Sequence, residues 1–160
     1  MALIRYDAVA QKSMAAVKYK NRREYLDFYA EAIVRRYGYF FERHKEAVLV
    51  PVPVHPARLR SRGFNQAGEL AVRLGRLTGL SVNEALLVRT RKTAPQKDLG
   101  PDERLRNLRH AFAVTAEAPP TVILTDDIYT TGSTMEACTR VLKAAGACQV
   151  YFVSICIGGS

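Results

Sequence analysis

The chain has no tryptophan, only 3 cysteines in 160 residues, and no apolar run near the ~20 residues that a bilayer-crossing helix needs. Each absence closes a class of function. No membrane insertion is expected, and Arg5 and Asp7 interrupt the first ten residues where a signal peptide needs an unbroken apolar stretch, so the expected location is cytoplasmic. Cys138, Cys148 and Cys156 are too widely spaced for a CxxC metal hook, and an odd number cannot complete a disulfide framework. They read as reduced core residues. Neither a Gly-x-x-x-x-Gly-Lys loop nor a Gly-x-Gly-x-x-Gly loop is present, which disfavours the two common nucleotide-binding turns.

What is present suits one domain, residues 1–160, with a helical N-terminal part at 1–46 and an α/β core at 47–157. Apolar residues make up 48% and charged residues 24%, and a chain of this length buries roughly two-thirds of its extended surface. The net charge of +9 is uneven: residues 52–109 hold 12 Lys and Arg against 5 Asp and Glu, whereas residues 110–160 hold 2 against 4. A positive middle attracts polyanions, but charge alone does not choose among pyrophosphate, nucleic acid and acidic lipid.

Periodicity predicts helices over 6–20 and 24–37, the second with Leu26, Tyr29, Ala30, Ile33 and Val34 on one stripe and Gly38 as its stop. The run Ala47-Val-Leu-Val-Pro-Val52 predicts a strand covered on both faces. A polar, arginine-rich loop over 53–63 and a helix over 66–77 closed by Gly79 follow. Further strands are expected at 86–89, 111–115, 121–125 and 150–157, with a mobile loop at 90–100, a short helix behind Pro101, and a helix over 133–145 ending at Gly146. Strands alternating with helices predict an α/β fold: a mostly parallel sheet flanked by helices, with ligands at the carboxyl ends of its strands.

The segment Thr121-Val-Ile-Leu-Thr-Asp-Asp-Ile-Tyr-Thr-Thr-Gly-Ser-Thr134 carries the chemistry. An apolar strand delivers two carboxylates and then a turn of small residues that opens a helix. The backbone N–H groups of Thr130, Thr131, Gly132, Ser133 and Thr134, at the positive end of that helix, form an anion site, and Gly132 lets the backbone approach a phosphate. Asp126 and Asp127 would repel a phosphate, yet they suit vicinal ribose hydroxyls, and either could help hold a magnesium ion that neutralises a pyrophosphate. Phosphoribosyl pyrophosphate with magnesium fits both halves. The plainer reading makes the acids a loop start and Ser133 a helix cap.

The segment Asp126-Asp-Ile-Tyr-Thr-Thr-Gly-Ser-Thr134 resembles the phosphoribosyl pyrophosphate signature of type I phosphoribosyltransferases. Pro51-Val-Pro-Val-His-Pro-Ala-Arg-Leu-Arg-Ser-Arg-Gly-Phe-Asn-Gln66, Gln96 with Leu99, Arg104 with Asn107, Ala111-Phe112 and the early Lys18-Tyr19-Lys20 together resemble the ComF family of competence-associated phosphoribosyltransferase-like proteins. The resemblance runs over roughly residues 6–153. It implies a type I phosphoribosyltransferase fold, Asp126 and Asp127 at the ribose hydroxyls, residues 130–134 around the 5-phosphate, and a part in DNA uptake and natural transformation. Such proteins often begin with a cysteine-rich zinc ribbon, and no zinc is expected in this chain.

His55, Arg58, Arg60 and Arg62 leave the 47–52 strand at the sheet edge where a ligand sits, and the resemblance makes this the pyrophosphate loop. The plainer reading is a solvated basic loop with Arg60 and Arg62 facing water. Arg91, Lys92, Lys97, Arg104, Arg106 and Arg109 could close as a lid on pyrophosphate, track a nucleic-acid backbone or form an exposed charged face. Gln96 and Asn107 could bond a base or fix their loop, and Tyr129 could stack on a ligand or pack. A general base is missing from the obvious places, with His55 a candidate on position alone.

Two functions of different kinds remain. One is a protein that binds phosphoribosyl pyrophosphate and takes part in DNA uptake, with single-stranded DNA and other competence proteins as partners. The other is an active phosphoribosyltransferase acting on an unidentified nitrogenous acceptor, with the acids as its catalytic residues. Between Arg58 and Arg109 Phe64 is the sole large aromatic, which weakens a base-stacking platform there. A regulator using an inherited site is a third reading, without a distinguishing residue. The oligomeric state is open.

Overall fold

The computed structural model describes residues 1–20, 22–90 and 111–158. The loop and short helix expected within 91–110 lie outside the described residues. So do Arg91, Lys92, Gln96, Lys97, Leu99, Arg104, Arg106, Asn107 and Arg109.

The chain begins with β1 (Ala2–Arg5), α1 (Ala8–Lys20), α2 (Glu24–Arg43) and β2 (Val48–Pro51). It continues with α3 (Pro56–Arg62), α4 (Gln66–Thr78), β3 (Ser81–Val82), β4 (Leu87–Arg89) and β5 (Phe112–Val114), then β6 (Thr121–Tyr129), α5 (Ser133–Ala144) and β7 (Gln149–Ile157). Five strands form one sheet in the order β1-β7-β6-β2-β3, and every pairing in it is parallel. Strands β4 and β5 pair antiparallel beside it. The chain is an α/β protein with a mostly parallel sheet between helices, as the alternation of elements predicts.

The apolar strands are covered on both faces because a pleated strand sends alternate side chains to opposite sides. Leu49 pairs with Ile123, and both enter a core with Met14, Val17, Leu26, Ile33, Leu70 and Leu74 from α1, α2 and α4. One residue further, Val50 pairs with Leu124, and both enter a second core with Leu86, Phe112, Ala137, Cys138 and Leu142 from α5 and the β4–β5 pair. Each fully buried Leu or Ile contributes about 1.5–3 kcal/mol of transfer free energy, so β2 and β6 are held from two sides.

This arrangement creates a switch point. After β6 the chain turns through α5 to β7, on one side in the strand order; after β2 it turns through α4 to β3, on the other. The connections leave the carboxyl ends of two neighbouring strands toward opposite faces, and the crevice between them is where open α/β sheets bind ligands.

Several expectations need correction. Residues 2–5 form an edge strand parallel to β7 rather than leading into helix, so the N-terminal part is not wholly helical. Gly38 does not stop α2. The helix bends at Tyr37 (φ −120°, ψ 17°) and continues to Arg43, because Phe41 is buried in the first core and tertiary packing outweighs the roughly 1 kcal/mol that glycine costs a helix. The arginine loop over 53–63 is largely a helix, α3, capped by His55 and closed by Gly63 at φ 78°. Of the cysteines, Cys138 and Cys156 are buried as expected, but Cys148 is exposed; all three are free thiols.

Candidate functional site

Strand β6 runs four residues beyond its predicted end, so Asp126 and Asp127 belong to the strand and not to the turn after it. Its position is fixed from two sides. The Val52 N–H donates to the Thr125 carbonyl at 2.9 Å, and the buried Thr125 hydroxyl donates to the Ala67 carbonyl at 3.1 Å, at the start of α4. Asn65 caps that helix with its oxygen on the Ala67 N–H (3.2 Å) while its amide donates to the Val52 carbonyl (3.1 Å). One asparagine thus ties β2 to the α4 terminus.

The two carboxylates are unequal. Asp127 forms an ion pair with the Lys18 ammonium from α1, and its side chain is 16% exposed. Asp126 accepts a hydrogen bond at 2.8 Å from the Asp127 backbone N–H. Burial first, then the Asp127 charge, pushes the Asp126 carboxyl well above the usual carboxylate range. At Asp127 burial works in the same upward direction but is outweighed by the Lys18 charge and hydrogen bond, by the Asp126 hydrogen bond and by the Arg62 charge. Its carboxyl is held below the usual range. Such a pair favours one negative charge over two.

Beyond Tyr129 the chain reaches Gly132 in the left-handed region at φ 78° and enters α5. The left-handed conformation favours glycine, and a Cβ here would lie 2.7 Å from the Tyr129 hydroxyl and would have to displace it. Helix α5 starts without a side-chain cap. The Ser133 hydroxyl is within 3.0 Å of the Thr131 hydroxyl instead of capping, so it is not the ordinary helix cap of the plainer reading, and among the described residues no side chain caps the first N–H groups, which an anion could take. Tyr129 sits at the end of β6 rather than in mid-loop, its ring 5.4 Å from that of Phe152.

Helix α3 emerges at the β2 side of the same crevice. Arg58 and Arg60 are exposed, and Arg62 is half-buried. Arg62 donates to Gln66 Oε1 at 3.3 Å and to the Tyr19 hydroxyl at 3.4 Å, with its guanidinium 5.3 Å from the Tyr19 ring centre. Of the predicted arginines among the described residues it is the one whose charge bears on Asp127. His55 accepts the Ala57 N–H at 3.1 Å through Nδ1 as the cap of α3. The Gln66 amide nitrogen is buried without a hydrogen-bond partner, a costly condition that a ligand oxygen would relieve.

Three residues escaped the sequence reading, two on α1 and one on β4. Lys18 and Tyr19 were visible only as part of a Lys-Tyr-Lys string, and nothing local says that they reach β6 and α3. Arg89 on β4 is the third: burial first, then the Arg58 charge, lowers its pKa, and its guanidinium lies 5.5 Å from the Phe112 ring centre. Arg89 also lines a cleft of about 670 Å³ with Pro53, Leu59, Phe64, Asn65 and Arg73. Neither acid nor any of residues 130–134 lines that cleft.

Among the described residues no three His, Cys, Asp or Glu side chains gather as a metal cluster. The acid pair therefore offers at most two carboxylates, which suits a magnesium ion that keeps water and ligand oxygens in its shell. No helix among the described residues is long and apolar enough to cross a membrane.

Comparison with known proteins decides the family. No family model matches the chain. It is 33% identical over 106 residues to Competence protein F of Haemophilus influenzae, covering 64% of this chain and 46% of that protein. It is 31% identical over 115 residues to Competence protein ComFC of Streptococcus pneumoniae, covering 71% and 50%. The chain belongs to the ComF family. It is also 34% identical over 109 residues to the DNA utilization protein YhgH of Escherichia coli K12, covering 68% and 48%. The chain spans about half the length of the curated ComF relatives it matches. A hypoxanthine phosphoribosyltransferase from Staphylococcus aureus aligns with a TM-score of 0.42 and 17% identity, over 82% of this chain and 62% of that one, too distant to bear on function.

Proposed function

We propose that the crevice between β2 and β6 binds phosphoribosyl pyrophosphate with magnesium, in a cytoplasmic protein that serves DNA uptake. The observation that carries this reading is the order of groups along one strand–turn–helix unit: two half-buried carboxylates, a glycine in the left-handed region, and a helix N-terminus without a side-chain cap. The helix terminus takes the 5-phosphate through its N–H groups. The carboxylates accept hydrogen bonds from the ribose hydroxyls, and Asp126, the more easily protonated, can also donate one. Arg62 approaches the same acids from α3 and supplies positive charge for the pyrophosphate.

Magnesium, when bound, screens the pyrophosphate charge; Asp126 and Asp127 are the residues that would hold it, directly or through water. The names of the ComF relatives, with competence and DNA utilization in them, support the setting. Single-stranded DNA and other competence proteins are the partners this setting calls for.

A second reading, an active phosphoribosyltransferase, draws on the cleft of about 670 Å³ beside α3, which has room for a nitrogenous acceptor. Calorimetric titration of phosphoribosyl pyrophosphate, with and without magnesium, tests the first reading. Binding that is lost when Asp126 and Asp127 are both changed to Asn supports the site, and binding unchanged by that pair of substitutions would remove it. Release of pyrophosphate on adding a panel of nitrogenous bases separates the enzyme from the binding protein.

A further inference from the structure

Helix α1 is anchored by Met14 and Val17, both fully buried in the core that covers one face of the sheet. Its last turn then reaches the candidate site twice. Lys18, with a side chain only 17% exposed, forms the ion pair with Asp127, and Tyr19 receives a hydrogen bond from Arg62. An ammonium in this place is a compact point charge on a stem whose root is fixed by the core. It faces the carboxylate that a divalent ion would need.

We propose that the Lys18 ammonium is the built-in counter-cation of the Asp126–Asp127 pair. It stands where a divalent ion would bind the carboxylates, so magnesium reaches this site through the oxygens of a bound ligand and water. Two adjacent acids with no counter-charge would repel a phosphorylated ligand; with Lys18 in place the repulsion is largely cancelled before any ligand arrives. Magnesium tolerates this route because it sheds water reluctantly and is commonly held by substrate phosphates with few protein ligands. The inference rests on the sugar-phosphate reading only for the ligand that brings the metal; the competition between Lys18 and a divalent ion stands apart from it.

Manganese(II) alone, followed by the paramagnetic resonance of the free ion, is the probe. The parent protein should leave the free-ion signal undiminished at millimolar metal, whereas Lys18→Met should bind manganese at least about tenfold more tightly, the effect of removing one half-buried competing charge. Lys18→Arg, which keeps the charge, should behave as the parent does, and adding Asp127→Asn to Lys18→Met should abolish the gain. Equal manganese affinity in the parent and in Lys18→Met, with matching circular dichroism, overturns the proposal. Lys18→Gln serves the same comparison if methionine disturbs the fold. A gain in manganese binding without any affinity for phosphoribosyl pyrophosphate would leave the counter-cation in place and remove the sugar-phosphate reading. Affinity for that ligand without a gain in manganese binding would do the reverse.

Discussion

The two walls of the crevice carry opposite charges and are built in opposite ways. The β6 wall is a strand held in two cores, with Ile123 and Leu124 fully buried one turn of the pleat before the acids. The α3 wall is a seven-residue helix with no buried residue, carrying three arginines and an exposed Leu59. Acids in a low-dielectric wall shift their pKa values and need a partner, whereas charges on a wet wall are screened by solvent. The difference bears on Asp126 and Asp127: burial and the charges packed against them split two chemically identical groups.

The comparison breaks first on stability. Leu124→Ala should cost about 2–5 kcal/mol in urea unfolding, by lost transfer energy and the cavity left behind. Leu59→Ala, at 44% exposure on α3, should fall within about 0.5 kcal/mol of the parent. Equal costs would mean that α3 is as firmly seated as β6.

A smaller effect is expected at the turn. Gly132→Ala forces a side chain into the left-handed region and against the Tyr129 hydroxyl, a strain of about 1–3 kcal/mol. Thermal unfolding should register it, and affinity for phosphoribosyl pyrophosphate should drop in the same variant. A parent-like affinity would detach the turn from the phosphate.

The pH dependence sharpens the comparison within the buried wall. Burial and the Asp127 charge raise Asp126, so its ionisation opposes folding: the penalty is absent below the ordinary carboxylate pKa and grows as pH rises toward the folded value. Asp127 is depressed chiefly by Lys18, against the effect of burial. Its contribution is complete above the ordinary carboxylate pKa and is lost as pH falls through the folded value. In metal-free buffer, Asp126→Asn should therefore raise the melting temperature at neutral pH and Asp127→Asn should lower it, the Asp126→Asn gain fading toward pH of about 4. Shifts of the same sign in both variants would refute the split.

The smallest effects belong to the wet wall. Arg60→Ala should leave stability within about 0.5 kcal/mol. Arg62→Lys, which keeps charge but loses the planar fork that spans Gln66 and Tyr19, should weaken pyrophosphate binding by a few-fold in calorimetry. A larger loss at Arg60 than at Arg62 would reverse their assignment.

What was legible, and what was not, follows the same physics. Continuous apolar runs at β2, β6 and β7 announced buried parallel strands, and Gly79 marked a helix end because its left-handed conformation is local. Strand β1 has four residues and pairs only with β7, distant in sequence, so no periodicity reveals it. Helix α3 lacks an apolar stripe and reads as loop; its helical form rests on the His55 cap and the Gly63 terminus. Gly38 looked like a stop, yet open space around it and the burial of Phe41 let α2 continue.

By itself the sequence determined the order strand, two acids, small-residue turn, helix, because each of those preferences is set by a residue and its near neighbours. Only the tertiary structure decided that Lys18 meets Asp127, that Arg62 reaches Tyr19 and Gln66, and that two adjacent aspartates differ. Burial and charge–charge distance are properties of the packed chain, and no local pattern of residues encodes them.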